Sequence, residues 1–352
     1  MKKVVILSNS FISKNGWGTV AFNLSNQLKK NKNYDVFELE VYCKFNKWYK
    51  GLLNIYNYLK VFFFNYKKIT SSDYIICVCE PLFFLGYIAK IFNKKIILLI
   101  YGYGTYIYTP FVKFPKKYLY LFFSKKIDYI IVSSEFSLKK LREWYKGKAS
   151  VISLGVSVNE YFPIELKKEF DFIYVGALKK RKGFEVLFEA FKKLLIKFPN
   201  ARLCIVAKKP KFTSKTEDIF NLIKSNNLIF KEKVSHKDLI ELYSKSKCNI
   251  LPSVNLKYSF EGFGLVHLEA NACGIPSIGT SQSANEDIIK NNYNGFLCKQ
   301  NDILDLYEKM KIIVENSAIL KEMSKNAIDN SKRFSWEKTA EKLFDVMEGK
   351  KH

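Results

Sequence analysis

Short runs of apolar residues recur along this chain, and each is followed by a turn and an amphipathic helical stretch. The first run, Val4–Leu7, leads through a glycine-containing loop into a helix that extends to about Leu28. Strands that alternate with helices pair in parallel, because a crossover helix brings the chain back to the same edge of a sheet. Twelve runs are predicted to be strands: Val4–Leu7, Val36–Tyr42, Tyr74–Cys79, Ile96–Ile100, Tyr129–Val132, Ser150–Leu154, Phe172–Val175, Ala201–Ala207, Leu228–Phe230, Cys248–Leu251, Pro276–Gly279 and Gly295–Cys298.

The alternation covers both halves of the chain. A length of 352 residues with 48% hydrophobic content is enough to bury two cores. We therefore predict an α/β protein with two Rossmann-like domains, residues 1–160 and 161–334, and a hinge from Gly155 to about Lys168. Residues 335–352 form a separate segment with a helix from about Ser335 to Met347, whose Trp336 and Phe344 are expected to be packing anchors.

A glycine-rich loop before a helix is the strongest candidate for a binding site. Gly262 and Gly264 permit backbone angles closed to other residues and let a ligand approach the main chain. A helix is predicted from about Gly264 to Cys273, and its first amides favour a diphosphate. Glu261 precedes this helix and Glu269 lies inside it, so the two carboxylates can bind hydroxyls at opposite ends of one ligand. The stretch predicts a site for a sugar nucleotide, with a hexose at one end and a ribose at the other.

This stretch resembles the signature of the family-4 retaining glycosyltransferases of the GT-B fold, also called glycosyltransferase group 1. The matching residues are Glu261–Gly264 followed by Ala270, Ala272, Gly274 and Pro276, with Leu251–Ser253 before them and Asn294–Leu297 after them. The resemblance implies two Rossmann-like domains facing a cleft and a C-terminal helix that returns to the N-terminal domain. It also implies that Glu261 lies beside the transferred sugar, that Glu269 binds the ribose, and that the amides of Phe263, Gly264 and Leu265 hold phosphate and sugar.

A basic turn after the strand Phe172–Val175 supports the same interpretation. The segment Gly176–Gly183 contains Lys182, which matches the lysine that the family places at the donor diphosphate. Its ammonium would neutralise charge on the leaving diphosphate. Arg181 is the second candidate cation, because Ala177 stands where many relatives carry arginine. The alternative is a solvated basic turn in a lysine-rich chain.

The loop after the first strand is a third candidate element. It carries Gly16, Gly18 and Thr19 at a helix start, and in the family the matching loop approaches the donor diphosphate and the acceptor. A dinucleotide-binding fingerprint would need a third glycine where Ala21 stands, so NAD binding is disfavoured.

One departure from the family concerns a histidine that many relatives place after a central N-terminal strand. Tyr101 occupies that place here, and a tyrosine is a poor base at neutral pH. The resemblance implies a front-face mechanism, in which the leaving phosphate oxygen accepts the proton of the acceptor, so that no protein base is required. Glu80, at the end of another strand, is a reserve candidate for the acceptor and sugar cleft, and its alternative role is at a helix start.

Two further positions are candidates for contact with the donor or with a metal. Glu286 matches the glutamate of a Gly-Gly-x-x-Glu loop beside the donor, although Ser281–Asp287 lacks those glycines and simple N-capping is the alternative. His267 is expected to pack or hydrogen-bond, because no carboxylate or cysteine lies at ligand spacing. The resemblance therefore implies donor binding without a metal or another cofactor.

The positive charge of the chain is concentrated in its first half. Residues 1–157 hold 25 basic and 8 acidic residues, which gives +17 of the total +25. Lysines alternate with aromatics over 47–68 and 111–126, a composition that suits the surface of an anionic bilayer. The alternative is a pair of ordinary core-facing helices in a lysine-rich chain.

The seven cysteines show no metal-site spacing, and most fall in predicted strands, which indicates reduced core residues. The absence of a signal peptide predicts the cytoplasm, with peripheral attachment to the cytoplasmic face of a membrane as a further expectation.

The expected function is transfer of a hexose-type sugar from a nucleoside-diphosphate sugar to a hydroxyl of a glycan or lipid-linked acceptor. Two alternatives stay open: a nucleotide-sugar-binding subunit without turnover, and a basic non-enzymatic protein that binds nucleic acid. The second is disfavoured because no nucleic-acid-binding module is recognised.

Overall fold

In a computed structural model, the chain divides into two compact units, residues 1–155 with 336–352, and residues 156–335. The structure describes residues 1–12, 16–41, 50–78, 82–100, 125–210, 217–257 and 259–350. Each unit contains a six-stranded sheet in which every pairing between strands is parallel. Within those ranges, no helix is long and apolar enough to cross a bilayer.

The first unit has the strand order β2-β1-β3-β4-β5-β6. Its strands are β1 (Lys2–Ser8), β2 (Tyr34–Glu40), β3 (Tyr74–Cys77), β4 (Lys95–Ile100), β5 (Tyr129–Val132) and β6 (Ala149–Val151). Its described helices are α1 (Gly16–Lys30), α2 (Lys50–Phe64), α3 (Tyr66–Ser71), α4 (Phe83–Lys90), α5 (Glu135–Arg142) and, at the end of the chain, α12 (Trp336–Glu348). Central strands such as β3 are buried along their whole length, which explains why they appear as continuous apolar runs.

The C-terminal helix α12 packs against α1 and so returns to the first unit, as predicted. Trp336 is buried, and the ring of Phe344 stacks on that of Tyr34 with 5.0 Å between centroids. The hydroxyl of Tyr74 donates to the carbonyl of Met347 at 2.5 Å. Both predicted anchors therefore serve packing.

The second unit has the order β12-β11-β10-β7-β8-β9. Its strands are β7 (Phe170–Val175), β8 (Leu203–Val206), β9 (Leu228–Lys231), β10 (Ser246–Ile250), β11 (Ser277–Thr280) and β12 (Gly295–Cys298). Its described helices are α6 (Phe184–Lys197), α7 (Glu217–Lys224), α8 (His236–Ser244), α9 (Leu265–Ala272), α10 (Ile303–Glu315) and α11 (Ser317–Ser331). Leu187, Phe191 and Leu194 recur at helical spacing on α6 and pack into one core cluster with β7 and β8.

The strand order of the second sheet reverses between β7 and β10. The chain proceeds from β7 outward to β8 and β9 on one side, and β10 lies on the other side of β7. In open parallel sheets, ligands bind outside the carboxyl ends of the strands at such a reversal. The loops that follow β7 and β10 are therefore the expected location of a ligand site in this unit.

Candidate functional site

The loops that follow β7 and β10 meet at the edge where the strand order reverses. The two strands pair in parallel, with Cys248 beside Phe172, so their carboxyl ends open on the same side. The backbone N–H of Val254 donates to the carbonyl of Arg181 at 2.8 Å, which joins the two loops. This contact brings the predicted basic turn next to the predicted glutamate loop.

A buried carboxylate and two cations form the centre of this site. Glu261 is 8% exposed, and its Oε2 lies 2.5 Å from Lys182 Nζ and 2.8 Å from an Arg181 guanidinium nitrogen. The hydroxyl of Ser253 donates to the same oxygen at 3.4 Å. Burial by itself raises the pKa of Glu261, but the attraction of Lys182 and Arg181 outweighs burial and lowers the pKa to about 2. The carboxylate is therefore ionised at neutral pH and neutralises part of the charge of the two cations.

The backbone around Gly183 presents the two cations. Lys180–Lys182 form a 3₁₀ turn that ends at Gly183, whose φ of 67° lies in the left-handed region. A Cβ at this position would stand 1.8 Å from the carbonyl oxygen of Pro252, so the loop after β10 can approach only a glycine. The close approach fixes the basic turn against the loop that carries Glu261.

Helix α9 begins directly after the Glu261 loop. Gly264 precedes it with a φ of 91°, and a Cβ there would lie 3.0 Å from Asn285 Nδ2. The ring of Phe263 is buried and lies 6.3 Å from the ring of Phe334, so this side chain belongs to the core. Phe263, Gly264 and Leu265 can contribute their main chain, because the first amides of a helix lack intrahelical acceptors and carry positive partial charge.

The second predicted glutamate lies on α9 in a different environment. Glu269 is partly buried, and one carboxylate oxygen accepts a hydrogen bond from the hydroxyl of Tyr243 at 3.2 Å. Burial raises the pKa of Glu269, whereas hydrogen bonding from Tyr243 and Tyr161 lowers it, and the net change is upward. The two glutamates of one stretch thus differ in both partners and acidity.

His267, between the two glutamates, is fully buried. Its Nδ1 lies 3.0 Å from Asn249 Nδ2, and burial lowers its pKa to about 3. The imidazole is neutral at physiological pH and packs inside the unit. In the part of the chain that the structure describes, no group of three or more His, Cys, Asp or Glu side chains is arranged to hold a metal ion.

Glu286 lies in the 3₁₀ turn Ala284–Asp287 and is exposed. Its carboxylate accepts a hydrogen bond from the backbone N–H of Gln282 at 2.7 Å, and the hydroxyl of Ser283 accepts one from the backbone N–H of Asn285 at 3.2 Å. These contacts are local to the turn. A donor contact by Glu286 stays a prediction.

The remaining candidates belong to the first unit. Gly16, Gly18 and Thr19 lie in the first turn of α1, which follows β1, and their role at a donor stays a prediction. Glu80 and Tyr101 lie outside the described residues, as does most of the basic and aromatic segment 111–126.

Three site residues were not singled out from the sequence as functional. Ser253 appeared there only as part of the Leu251–Ser253 match, yet it contacts Glu261. Tyr161 and Tyr243 approach Glu269 from outside the signature stretch. Tyr243 lies on α8 and Tyr161 in the segment between β6 and β7. At neither position does the sequence separate a packing tyrosine from a hydrogen-bonding one, so only the fold identifies these two.

Comparisons with known proteins agree with this architecture. The family model described as "Glycosyl transferases group 1" matches residues 159–345. An uncharacterized glycosyltransferase of Methanocaldococcus jannaschii is 27% identical over 344 residues, which cover 91% of this chain and 92% of that protein. Sucrose-phosphate synthase from Thermosynechococcus elongatus superposes with a TM-score of 0.79 at 18% identity and covers 99% of both chains. HepE of Anabaena, solved in complex with UDP and glucose, superposes with a TM-score of 0.73 at 16% identity, and the match covers 99% of this chain and 100% of HepE. At these identities the two solved structures show the fold alone.

Proposed function

The chain belongs to the glycosyl transferases group 1 family and has the GT-B fold, and we propose that it is a retaining hexosyltransferase. The donor would be a nucleoside-diphosphate sugar, and the acceptor a hydroxyl of a glycan or a lipid-linked glycan. The observation that carries the proposal is the cluster of Glu261, Lys182 and Arg181 at the reversal of strand order in the second sheet.

The two cations supply the charge that a diphosphate needs. Lys182 and Arg181 side chains are 17% and 16% exposed, so they are largely desolvated yet reachable from the surface. Positive groups in such a setting stabilise negative charge more strongly than they do in bulk water. Together with the first amides of α9 they would hold the donor diphosphate, and we propose that this set replaces a metal ion.

The proposed chemistry exchanges one glycosidic bond for another on the same face of the sugar. The bond from the anomeric carbon to the diphosphate oxygen breaks, and a bond from that carbon to the acceptor oxygen forms. The leaving phosphate oxygen takes the proton of the acceptor hydroxyl. Lys182 and Arg181 would neutralise the negative charge that grows on the diphosphate. Glu261 would lie beside the sugar while the sugar becomes positively charged.

The known ligands of structural neighbours support a nucleotide sugar as the donor. HepE was solved with UDP-glucose, and TarM with UDP and α-GlcNAc-glycerol. Glu269 on α9 would bind the ribose of the nucleotide. Gly16, Gly18 and Thr19 would approach the donor from α1, and Glu286 from its turn.

We further propose that the first unit attaches peripherally to the cytoplasmic face of an anionic membrane. Tyr56, Phe63 and Phe64 on α2 are 61%, 69% and 80% exposed, and Lys60 Nζ lies 6.0 Å from the centre of the Phe64 ring. No acidic residue occurs between positions 41 and 72. Exposed aromatics with lysines suit the interface and the headgroups of such a bilayer, which would bring the enzyme to a lipid-linked acceptor.

The first experiment measures the thermal midpoint of the protein with UDP-, GDP-, ADP- and dTDP-sugars. A ligand at about a hundred times its dissociation constant stabilises the folded state by roughly 2.7 kcal/mol. One nucleotide should raise the midpoint of the wild type and fail to raise that of Glu269→Ala. If no nucleotide sugar raised the midpoint while DNA at low salt did, the basic surface would be the functional feature instead.

Transfer assays then separate an enzyme from a binding subunit. Glu261→Ala should reduce transfer or hydrolysis of the selected donor more than it reduces binding of the nucleotide alone. Equal and negligible effects of Glu261→Ala and Glu269→Ala would overturn the site assignment. Donor binding by the wild type without any turnover would indicate a binding subunit.

A further inference from the structure

Two tyrosines from outside the signature stretch converge on the carboxylate of Glu269. We propose that Tyr161 and Tyr243 are positioning residues, which hold this carboxylate in the orientation that accepts the two ribose hydroxyls of the donor. The inference rests on the proposed function, because it assigns Glu269 to the ribose.

Tyr243 is held rigidly by its surroundings. It lies on α8, is fully buried, and packs in a core cluster with Phe170, Ala270 and Cys273. Its hydroxyl lies 3.2 Å from Glu269 Oε2 and 3.5 Å from the Val266 carbonyl, both on α9. The phenol therefore joins α8 to the glutamate through a side chain that has little freedom to move.

Tyr161 reaches the same carboxylate from the segment between β6 and β7. Its backbone N–H donates to the Ser157 carbonyl at 2.8 Å, and its ring packs edge-on against His236, with 4.7 Å between centroids. Its interaction with Glu269 raises the pKa of the Tyr161 phenol, in addition to the larger effect of burial. Its packing against the core cluster of Tyr243 and Ala270 places this second phenol beside α9, on an element other than α8.

At Glu269, phenol hydroxyls rather than cations oppose the effect of burial. Within the described part of the chain, no lysine or arginine pairs directly with Glu269, whereas Glu261 has two cationic partners. Burial alone disfavours the ionised carboxylate, and hydrogen bonds from Tyr243 and Tyr161 oppose that effect. A carboxylate has about four acceptor positions. The positions that the phenols leave free would accept the vicinal hydroxyls of a ribose.

Other charged and titratable groups lie around Glu269 and Tyr161. Lys182 acts on Glu269 from the 3₁₀ turn after β7, and Cys273 lies directly after the end of α9, one turn beyond Glu269. Glu160 and His236 lie beside Tyr161, with 3.5 Å between Glu160 Oε2 and His236 Nε2. Because the ring of His236 packs on Tyr161 and its Nε2 faces Glu160, His236→Gln is a necessary control for any pH effect.

The test is the pH dependence of nucleotide affinity in Tyr243→Phe and Tyr161→Phe. UDP, GDP and ADP are titrated calorimetrically into the wild type, and the tightest of the three is carried through all variants. Removing either hydroxyl should weaken binding about fivefold at neutral pH. It should also raise the pH at which the affinity for the nucleotide falls, because a carboxylate with fewer hydrogen-bond donors protonates more readily. Tyr307→Phe, in the same unit on α10, is the matched control and should change neither quantity.

The outcomes separate this inference from the proposed function. Phenylalanine keeps the packing of each ring, so thermal midpoints near that of the wild type would show that the variants fold. If Glu269→Ala abolished binding while neither tyrosine variant moved the pH midpoint, the tyrosines would serve only packing and the inference would be wrong. If Glu269→Ala left binding unchanged, the assignment of Glu269 to the ribose would fail instead.

Discussion

Replacing Glu261 by glutamine tests the ion pairs at the centre of the site. Glutamine keeps the size of the side chain and removes the charge that Lys182 and Arg181 share. A pKa of about 2, against an ordinary 4.5, corresponds to about 3 kcal/mol of stabilisation. That value is at the lower end of the cost, about 3 to 5 kcal/mol, of removing one partner from a buried pair. Glu261 is 8% exposed, so solvent screens the pair little.

Amide hydrogen exchange is the suitable assay, because the second unit contains no tryptophan that could report its unfolding separately. A loss of about 3 kcal/mol should make the most protected amides of β10 and β11 exchange about 100-fold faster in Glu261→Gln at neutral pH. Amides of β1 and β3, in the first unit, are the internal reference. Their exchange should not change.

The pH dependence supplies an independent check on the same reasoning. A carboxylate whose pKa is lower in the folded than in the unfolded protein stabilises the fold when the pH is above the unfolded-state pKa, here 4.5. That stabilisation is lost as the pH falls toward 2. The difference between wild type and Glu261→Gln should therefore be constant near neutral pH and shrink below pH 4.5. Glu315→Gln removes an exposed pair with Lys197 and should leave exchange unchanged. Equal protection of β10 in wild type and Glu261→Gln at neutral pH would refute the argument.

Two further changes test the backbone of the site and the proposed membrane surface. Gly183→Ala should lower the thermal midpoint by several degrees, because its Cβ would meet the Pro252 carbonyl at 1.8 Å, whereas Gly16→Ala, whose Cβ meets no atom of the described residues within 4 Å, should not. Equal midpoints would show that the turn adapts. Phe63→Ser with Phe64→Ser should weaken sedimentation with phosphatidylserine vesicles, whereas Ile196→Ser, also exposed but in the second unit, should not. Sedimentation unaffected by the double change would count against this surface.

The positions of the strands could be predicted because their physical signal is local. Strands covered on both faces are continuous apolar runs, and each of the twelve predicted runs overlaps a strand of the described sheets. The predicted and observed limits of a strand differ by a few residues, for instance where apolar residues continue past the last residue that pairs with the neighbouring strand. The run 201–207, for example, holds a strand only over Leu203–Val206. Apolar composition continues beyond a strand, whereas ladder hydrogen bonds end where the neighbouring strand ends.

The pairing of Glu261 with Lys182 and Arg181 could not be predicted from local pattern. The sequence indicates a basic turn and a glutamate loop, but their contact requires β10 to lie beside β7. Strand order is set by how the helices pack on both faces of the sheet, and no residue in either loop encodes it. For the same reason Tyr161 and Tyr243 were missed, since each reaches Glu269 through tertiary packing.

The two glutamates of the signature stretch illustrate why sequence identifies a site more readily than it assigns roles. Glu261 precedes α9 and Glu269 lies inside it, and the residues alone predict for both carboxylates the binding of hydroxyls. In the fold, two cations lower the pKa of Glu261 to about 2, whereas burial raises that of Glu269 in spite of its hydrogen bonding with phenols. As the pH falls, Glu269 therefore protonates first, while the ion pairs of Glu261 persist. Affinity for the nucleotide should consequently decline in acid before the cluster at Glu261 loses its charge, and the acidic limb of activity should follow the titration of Glu269.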